Sequence, residues 1–343
     1  MSRSPIERVL VAIKPWQRGL PLESQHASQL AEAFGAKLML VSSVFDAKVA
    51  RRVQREGAGA DGRTRLIEAE HVELERLARS LRDWGAKVAT RVVWGAPPYQ
   101  AVLDVAHEWR ADLIVVGVHE NRLRLAVRLT DTDWQLMRLA PCPLLLVKDP
   151  VFDGYPTVLA AIDPAHPEAA ASGIDRAVLD VSRTIARACG SKVRAVHALP
   201  LRAPIAPSTI EPAPGVFVDE DQIEALERRA VVDLAAEYDV APDCVDIVHG
   251  APANVIAETA ADRRAALVVM GALRRGELEQ AMLGSTAESV AVDVPCDVLL
   301  VPPPKAPSVP RARGARAKDT ARTTKPRRRR ASSAGAARRP VAP

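Results

Sequence analysis

The chain is poor in aromatic residues, which make up 3% of its 343 residues, and in cysteine, of which it has four. With so few large rings, we expect a core built from Ala, Val and Leu. The cysteines form no Cys-x-x-Cys pair and no Cys/His ligand pattern, which argues against a disulfide framework and a zinc site. They stand alone at Cys142, Cys189, Cys244 and Cys296. Isolated thiols of this kind predict a reducing compartment.

Long apolar runs and several catalytic signatures are also missing. No stretch approaches 18 uncharged apolar residues, and residues 1–15 lack the hydrophobic segment of a signal peptide. We therefore expect no membrane span, no secretory signal and a cytoplasmic protein. No P-loop, GxSxG elbow or GxGxxG fingerprint occurs. The seven histidines show no base with a placed partner, so we predict neither catalytic residues nor a metal site.

The net positive charge comes from one end of the chain. Residues 304–343 hold thirteen lysines and arginines against one acid, a net +12, so the whole-chain charge of +5 leaves −7 on residues 1–303. This tail has almost no large apolar residues, and we predict that it is disordered. Its cations could contact nucleic acid or another anionic surface. An extension that only aids solubility is the alternative.

An internal repeat defines the organisation of the chain. Four segments recur in the same order, 149 to 155 residues further along: VLVAIKP (9–15) as VLAAIDP (158–164), FGAKLMLV (34–41) as CGSKVRAV (189–196), VVWGAPPYQAVLDVAHEWRADLIVVG (92–117) as IVHGAPANVIAETAADRRAALVVMG (247–271), and APCPLLLV (140–147) as VPCDVLLV (294–301). We predict a first domain at 1–150, a second domain at 151–303 and the tail at 304–343.

Within each repeat, short apolar runs alternate with helical patterns. Near-continuous apolar strands are typical of parallel sheets covered by helices on both faces. The alternation predicts two tandem doubly wound parallel five-stranded sheets. The last strand of each repeat is then an edge strand, and open edges invite pairing. We expect the two domains to pair through these strands about a pseudo-twofold axis, which leaves a further homodimer open.

Ligands of such sheets bind beyond the carboxyl ends of the strands. In the second repeat, Gly271 ends the fourth strand, and Gly284, Ser285 and Thr286 begin a helix thirteen residues later. Backbone N–H groups at a helix start can hold phosphate. Ser285 and Glu288 also have the spacing of a capping box, so a helix start without any ligand is the alternative.

These segments do not occur alone. The order VLAAIDP, AVHALP, VHGAP, VVMG-x12-GST and VPCDVLLV closely resembles the universal stress protein family, and the resemblance covers nearly all of residues 5–303 in two copies. The first copy is similar to the degenerate half of tandem members of the E type. The resemblance implies an adenine nucleotide alpha hydrolase-like fold, a non-catalytic role in the stress response and, in some members, ATP binding with Mg²⁺.

Carried over motif by motif, the resemblance places eight residues in a nucleotide site: Asp163 on the ribose and adenine side, Val196 and Ala198 beside the adenine, Met270 and Gly271 at the end of the fourth strand, and Gly284, Ser285 and Thr286 at the phosphates. Arg274 replaces the middle glycine of the family motif. It could crowd the phosphates, since glycine lets backbone approach a ligand, or pair with them.

The first repeat departs further from the family pattern. Lys14 stands where Asp163 stands in the second copy, and Thr130 and Asp131 replace Gly284 and Ser285. Carboxylates repel phosphate, so we expect no nucleotide here, with Asp131 or Asp133 capping the last helix. A rival interpretation joins Lys14 to nearby arginines in a pocket for an anion or a lipid headgroup.

Three functions therefore remain open. The first is a binding and signalling module with one adenine-nucleotide site, in the second domain. The second is a module for another small or lipid-like ligand, in a pocket altered by Arg274. The third is a slow ATPase, for which Glu277 and Glu279 are the candidate acids.

Overall fold

A computed structural model describes residues 6–17, 19–56, 60–121, 126–148, 154–201, 220–272, 274–275 and 282–304. The predictions about the basic tail concern residues that lie, apart from Pro304, outside these ranges. Glu277 and Glu279 lie outside them as well. Within the described part of the chain, no helix combines the length and the apolar character that crossing a membrane requires.

The first repeat alternates strands and helices as predicted. Its elements are β1 (Arg8–Ile13), α1 (Leu22–Phe34), β2 (Lys37–Val44), α2 (Ala47–Glu56), α3 (Ala60–Asp83), β3 (Lys87–Trp94), α4 (Pro98–Trp109), β4 (Leu113–Gly117), β5 (His119–Asn121), β6 (Ala126–Arg128), α5 (Asp131–Leu139) and β7 (Leu144–Val147). Helix α1 ends where Gly35 adopts a left-handed φ of 68°, a conformation that glycine adopts without steric cost.

The second repeat has the same plan. Its elements are β8 (Thr157–Ala161), α6 (Pro167–Ser172), α7 (Ile174–Cys189), β9 (Lys192–Leu199), α8 (Glu220–Ala236), a 3₁₀ turn (Pro242–Cys244), β10 (Val245–His249), α9 (Pro252–Asp262), β11 (Leu267–Gly271), β12 (Arg274–Arg275), β13 (Met282–Leu283), α10 (Ser285–Asp293) and β14 (Asp297–Val301). The pairs β5–β6 and β12–β13 are short antiparallel hairpins.

The two predicted sheets are joined into one. Ten strands lie in the order β10-β9-β8-β11-β14-β7-β4-β1-β2-β3, with parallel pairing inside each repeat. The last strands, β7 and β14, pair antiparallel, with Leu299 opposite Leu145. The doubly wound architecture and the pairing through the last strands are therefore confirmed. Each repeat contributes five strands to a single mixed sheet.

An apolar layer covers each face of this sheet. One layer packs α1, α3, α7 and α8, and the other packs α4, α5, α9 and α10. Both layers contain residues of β7 and β14, so they continue from one repeat into the other. Among the described residues, Tyr155 is the single aromatic side chain in the buried core, in agreement with the expected Ala, Val and Leu packing.

A buried polar cluster holds the junction between the repeats. Asp297 is fully buried at the start of β14. One of its carboxylate oxygens accepts a hydrogen bond from the Tyr155 hydroxyl at 2.6 Å and lies 2.9 Å from Nδ1 of His26 in α1. The other accepts from the Lys148 backbone N–H at 2.7 Å. Burial and Asp297 raise the pKa of Tyr155 well above its usual value, so its hydroxyl keeps the hydrogen that it donates.

A cavity at the carboxyl edge of the second repeat

A cavity of about 310 Å³ lies where β8, β9 and β11 end, at the start of α10. This volume is at the lower end of the range typical of small-molecule sites. Eight of the nine residues predicted from the sequence line it: Asp163, Val196, Ala198, Met270, Gly271, Gly284, Ser285 and Thr286. The carboxyl ends of parallel strands share one edge of a sheet, so residues far apart in the chain meet here.

Arg274 is the ninth predicted residue. Its backbone lies in β12 and pairs with Leu283, the residue directly before Gly284. The Arg274 side chain lies outside the part of the chain that the structure describes. Whether it crowds or pairs with a phosphate therefore stays a prediction.

The start of α10 has a glycine at the position of a capping side chain. Gly284 is the N-cap, with φ −63° and ψ 140°, and within the described part of the chain no side-chain hydrogen bond caps the helix. The expected capping box between Ser285 and Glu288 is not formed. Instead, Glu288 Oε1 accepts a hydrogen bond at 3.3 Å from Nη2 of Arg138, which belongs to α5 of the first repeat. The first N–H groups of a helix have no partner inside it and carry positive partial charge, so this helix start can bind an anion.

A different part of the lining is acidic. Asp163 follows β8 with its side chain 52% exposed. Its backbone N–H donates to Oδ1 of the buried Asp175 at 3.0 Å. Burial, the largest influence, raises the pKa of Asp175. Sequence reasoning missed Asp175, because an acid in the first turn of a helix is common for its effect on the helix dipole alone.

Two histidines, His166 and His197, also line the cavity. His197, on β9, is buried, and its Nδ1 lies 3.0 Å from the Ile162 carbonyl oxygen. Within the described ranges, Nε2 of His197 and Nδ1 of His166 are buried without a hydrogen-bond partner. His249 also ends a strand, yet it is exposed, with Nε2 3.3 Å from Glu224, and it is not part of the lining.

The glycine at the end of β11 has a packing role. A Cβ at Gly271 would lie 2.5 Å from Cγ1 of Ile174, so a larger residue would push α7 away from the sheet. Space for α7 is therefore a sufficient reason for this glycine. Gly284 differs, because a Cβ built there meets nothing within 4 Å.

At the matching edge of the first repeat, an acid takes up the space beside the strand end. The Glu23 carboxylate lies against Gly117 and is buried. Burial raises the pKa of Glu23, and the nearby positive charge of Lys14 opposes that shift. The charge of Lys14 thus acts on a carboxylate of its own domain.

At the start of α5, the side chains of Thr130 and Asp133 hydrogen-bond backbone N–H groups in a capping box. Thr130, and not Asp131 or Asp133, is the N-cap. Its Oγ1 accepts from the Asp133 N–H at 3.3 Å, and Asp133 Oδ2 accepts from the Thr130 N–H at 2.7 Å. The expectation that an aspartate is the N-cap was wrong, because the threonine hydroxyl reaches the third N–H while Asp133 reaches back.

Comparison with known proteins relates both repeats of the chain to one family. The model of the universal stress protein family matches residues 5–148 and again 154–302. Universal stress protein E of Escherichia coli K12 is 25% identical over 307 residues, which are 87% of this chain and 94% of that protein. A functionally unknown protein from Pseudomonas aeruginosa PAO1 is 25% identical, with a TM-score of 0.66 over 88% of this chain and 94% of its own. A universal stress protein from Archaeoglobus fulgidus shares the fold at 16% identity, with a TM-score of 0.62 and coverage of 88% and 99%.

Proposed function

Because the chain belongs to the universal stress protein family, we propose that its second domain binds an adenine nucleotide and that the protein is a non-catalytic binding module of the cytoplasmic stress response. The ligand is ATP, with Mg²⁺ bound to its phosphates. The family assignment itself, with two copies of the domain and a relationship to universal stress protein E, is confirmed by the comparisons.

The observation that carries this proposal is the start of α10. Its N-cap is a glycine with no side-chain hydrogen bond, and open space lies beside it. A helix start normally has its N–H groups satisfied by a capping side chain. At α10 these donors border the cavity together with the hydroxyl-bearing residues Ser285 and Thr286, which supports phosphate binding.

The distribution of charge supports one orientation of the ligand. Asp163 and Asp175 are carboxylates and repel phosphate, whereas the helix start attracts it. The phosphates therefore lie at Gly284–Thr286, and the sugar and base lie toward Asp163, Val196 and Ala198. Ribose hydroxyls are hydrogen-bond donors and suit the half-exposed Asp163 carboxylate.

Calorimetric titration with ATP and Mg²⁺ tests the stoichiometry. We expect one nucleotide per chain, because the first domain closes its helix start with Thr130 and Asp133. Mass spectrometry of ligand released by denaturing the purified protein identifies what the cavity holds. Two nucleotides per chain, or a retained ligand that is not a nucleotide, would contradict the proposal, and the latter would favour another small or lipid-like ligand.

Two further expectations accompany the proposal. Phosphate release at the blank rate in the presence of Mg²⁺ is expected of a non-catalytic module, whereas release above it favours a slow ATPase. Contact between the basic tail and nucleic acid or another anionic surface stays a prediction from composition. It would depend steeply on salt, because binding releases counterions.

A further inference from the structure

His197 has a defined hydrogen position at one nitrogen. Its Nδ1 lies 3.0 Å from the Ile162 carbonyl oxygen. A carbonyl oxygen can only accept a hydrogen bond, so Nδ1 carries the hydrogen and donates it. In a neutral imidazole the other nitrogen is then an acceptor. The fold thus selects the tautomer in which Nε2 has a free lone pair.

That acceptor has no partner within the part of the chain that the structure describes. Nε2 of His197 is buried and makes no hydrogen bond there, although His197 is 3% exposed and lines the cavity. Buried polar atoms are nearly always hydrogen-bonded, and one without a partner needs an explanation. A ligand that brings a hydrogen-bond donor into the cavity would supply the partner.

The position of His197 indicates which part of a nucleotide would bring this hydrogen-bond donor. His197 lies between Val196 and Ala198 on β9 and close to Asp163, whose Oδ1 is 3.7 Å from its Nδ1. This part of the lining presents acceptors, whereas the donors are at the start of α10. The phosphates are acceptors and belong at α10. Donors on the base therefore face His197.

We propose that Nε2 of His197 accepts a hydrogen bond from the 6-amino group of the purine and thereby selects adenine over 6-oxopurines. This inference rests on the proposed function and names the residue that gives that site its base specificity. Inosine triphosphate differs from ATP at this position, with an oxygen in place of the amino group. That oxygen is an acceptor, so it cannot pair with Nε2 in the place of the amino group.

The experiment is calorimetric titration of the full chain with ATP and with inosine triphosphate at pH 8, both with Mg²⁺. We expect ATP to bind about tenfold more tightly or better, since an unsatisfied buried acceptor costs roughly 1–3 kcal/mol and each 1.4 kcal/mol is tenfold in affinity. His197→Asn keeps a donor for the Ile162 carbonyl but removes Nε2, and it should bring the two affinities within about threefold. His197→Gln retains an oxygen acceptor near Nε2 and should keep part of the preference.

One matched variant serves as the control. His249→Asn changes a strand-end histidine outside the cavity and should keep the preference of the parent for ATP. Thermal melting of each variant without ligand identifies any that fails to fold. If His197→Asn does not fold, His197→Ala, which also removes Nε2, carries the test.

The outcomes separate this inference from the proposed function. Binding of neither nucleotide contradicts the proposed function. Equal binding of both by the parent, or tighter binding of inosine triphosphate, overturns the role of His197 and leaves a nucleotide site in place. A preference that persists in His197→Asn, or that disappears in His249→Asn, overturns it as well.

Discussion

The carboxyl edges of the two domains differ although the repeats share one plan. In the second domain, Asp163 follows the first strand and α10 begins at an uncapped glycine. In the first domain, Lys14 follows the first strand, and α5 begins with Thr130 in a closed capping box. The N–H groups of a helix start can be satisfied by side chains of the same helix or stay open to an anionic ligand. Helix α5 is of the first kind, whereas the glycine N-cap of α10 makes no side-chain hydrogen bond.

A buried acid is present at both edges and has a different part in each. Glu23 fills the space beside Gly117, whereas Asp175 lines an open cavity and holds the backbone of Asp163. Burial raises the pKa of both carboxyl groups. A buried acid at such an edge therefore does not by itself indicate a ligand cavity. Its part depends on where its helix places it relative to the strand ends.

Gly284→Asp is the change with the largest expected effect. It should weaken ATP binding by about a hundredfold or more, since two unit charges 4 Å apart repel by about 4 kcal/mol near a protein surface. Stability without ligand should be kept or raised, because aspartate is a good N-cap and the site has open space. Calorimetry and thermal melting measure the two effects.

Thr130→Asp is the matched control in the first domain. It places the same charge at the corresponding helix start and should leave ATP affinity unchanged. Unchanged binding by Gly284→Asp, or equal losses in both variants, would show that the cavity of the second domain is not the nucleotide site.

The two helix starts should also differ in what they contribute to stability. Thr130→Ala removes the hydroxyl of the capping box and should lower the free energy of unfolding by about 1 kcal/mol. Gly284→Ala removes no side-chain hydrogen bond and should lower it by less than Thr130→Ala does, although alanine is a poorer N-cap than glycine. Urea denaturation without nucleotide provides both values. Equal losses would indicate that α10 is capped in a way that the backbone geometry does not reveal.

Glu23→Gln has the smallest expected effect and tests the cost of burying this carboxyl group at the edge of the first domain. Burial raises the pKa of Glu23 above 4.5, so the folded chain keeps this proton at pH values where the unfolded chain has lost it. The contribution of Glu23 to stability is therefore fully present below pH 4.5 and falls as the pH rises through the folded pKa. Glutamine cannot ionise, so the variant should gain stability over the parent at pH 7.

Melting temperatures of the parent and of Glu23→Gln at pH 4 and pH 7 provide the comparison. The two proteins should melt alike at pH 4, with the variant higher at pH 7. A variant that is less stable than the parent at pH 7 would show that the attraction to Lys14 outweighs the cost of burying the charge.

Much of the fold could be predicted from the repeated motifs. The apolar runs indicate strands buried on both faces, and the order of the motifs indicates doubly wound domains that pair at their last strands. Parallel sheets bring their strand ends to one edge, so the motif residues from Asp163 to Thr286 could be expected to meet, and eight of the nine line one cavity. The side chain of Arg274 stays outside what the structure describes.

Contacts between distant segments could not be predicted in this way. Glu288 has the spacing of a capping residue, yet it pairs with Arg138, 150 residues earlier in the chain. Asp175 carries no local signal of a site, since an acid at a helix start is ordinary. Its burial and its hydrogen bond from the Asp163 backbone depend on how α7 packs.

The amino-acid sequence by itself determined the strands, the helices and the edge of the sheet where the repeated motifs meet, because hydrophobic periodicity and motif order can be followed along the chain. Tertiary structure alone decided which side chains reach each strand end. Helix α1 carries Glu23 onto Gly117, while α7 places Ile174 against Gly271 and leaves Asp175 at the cavity. Which side chain lies there depends on the approach of a helix to a strand, and that distance is set by packing across the whole sheet.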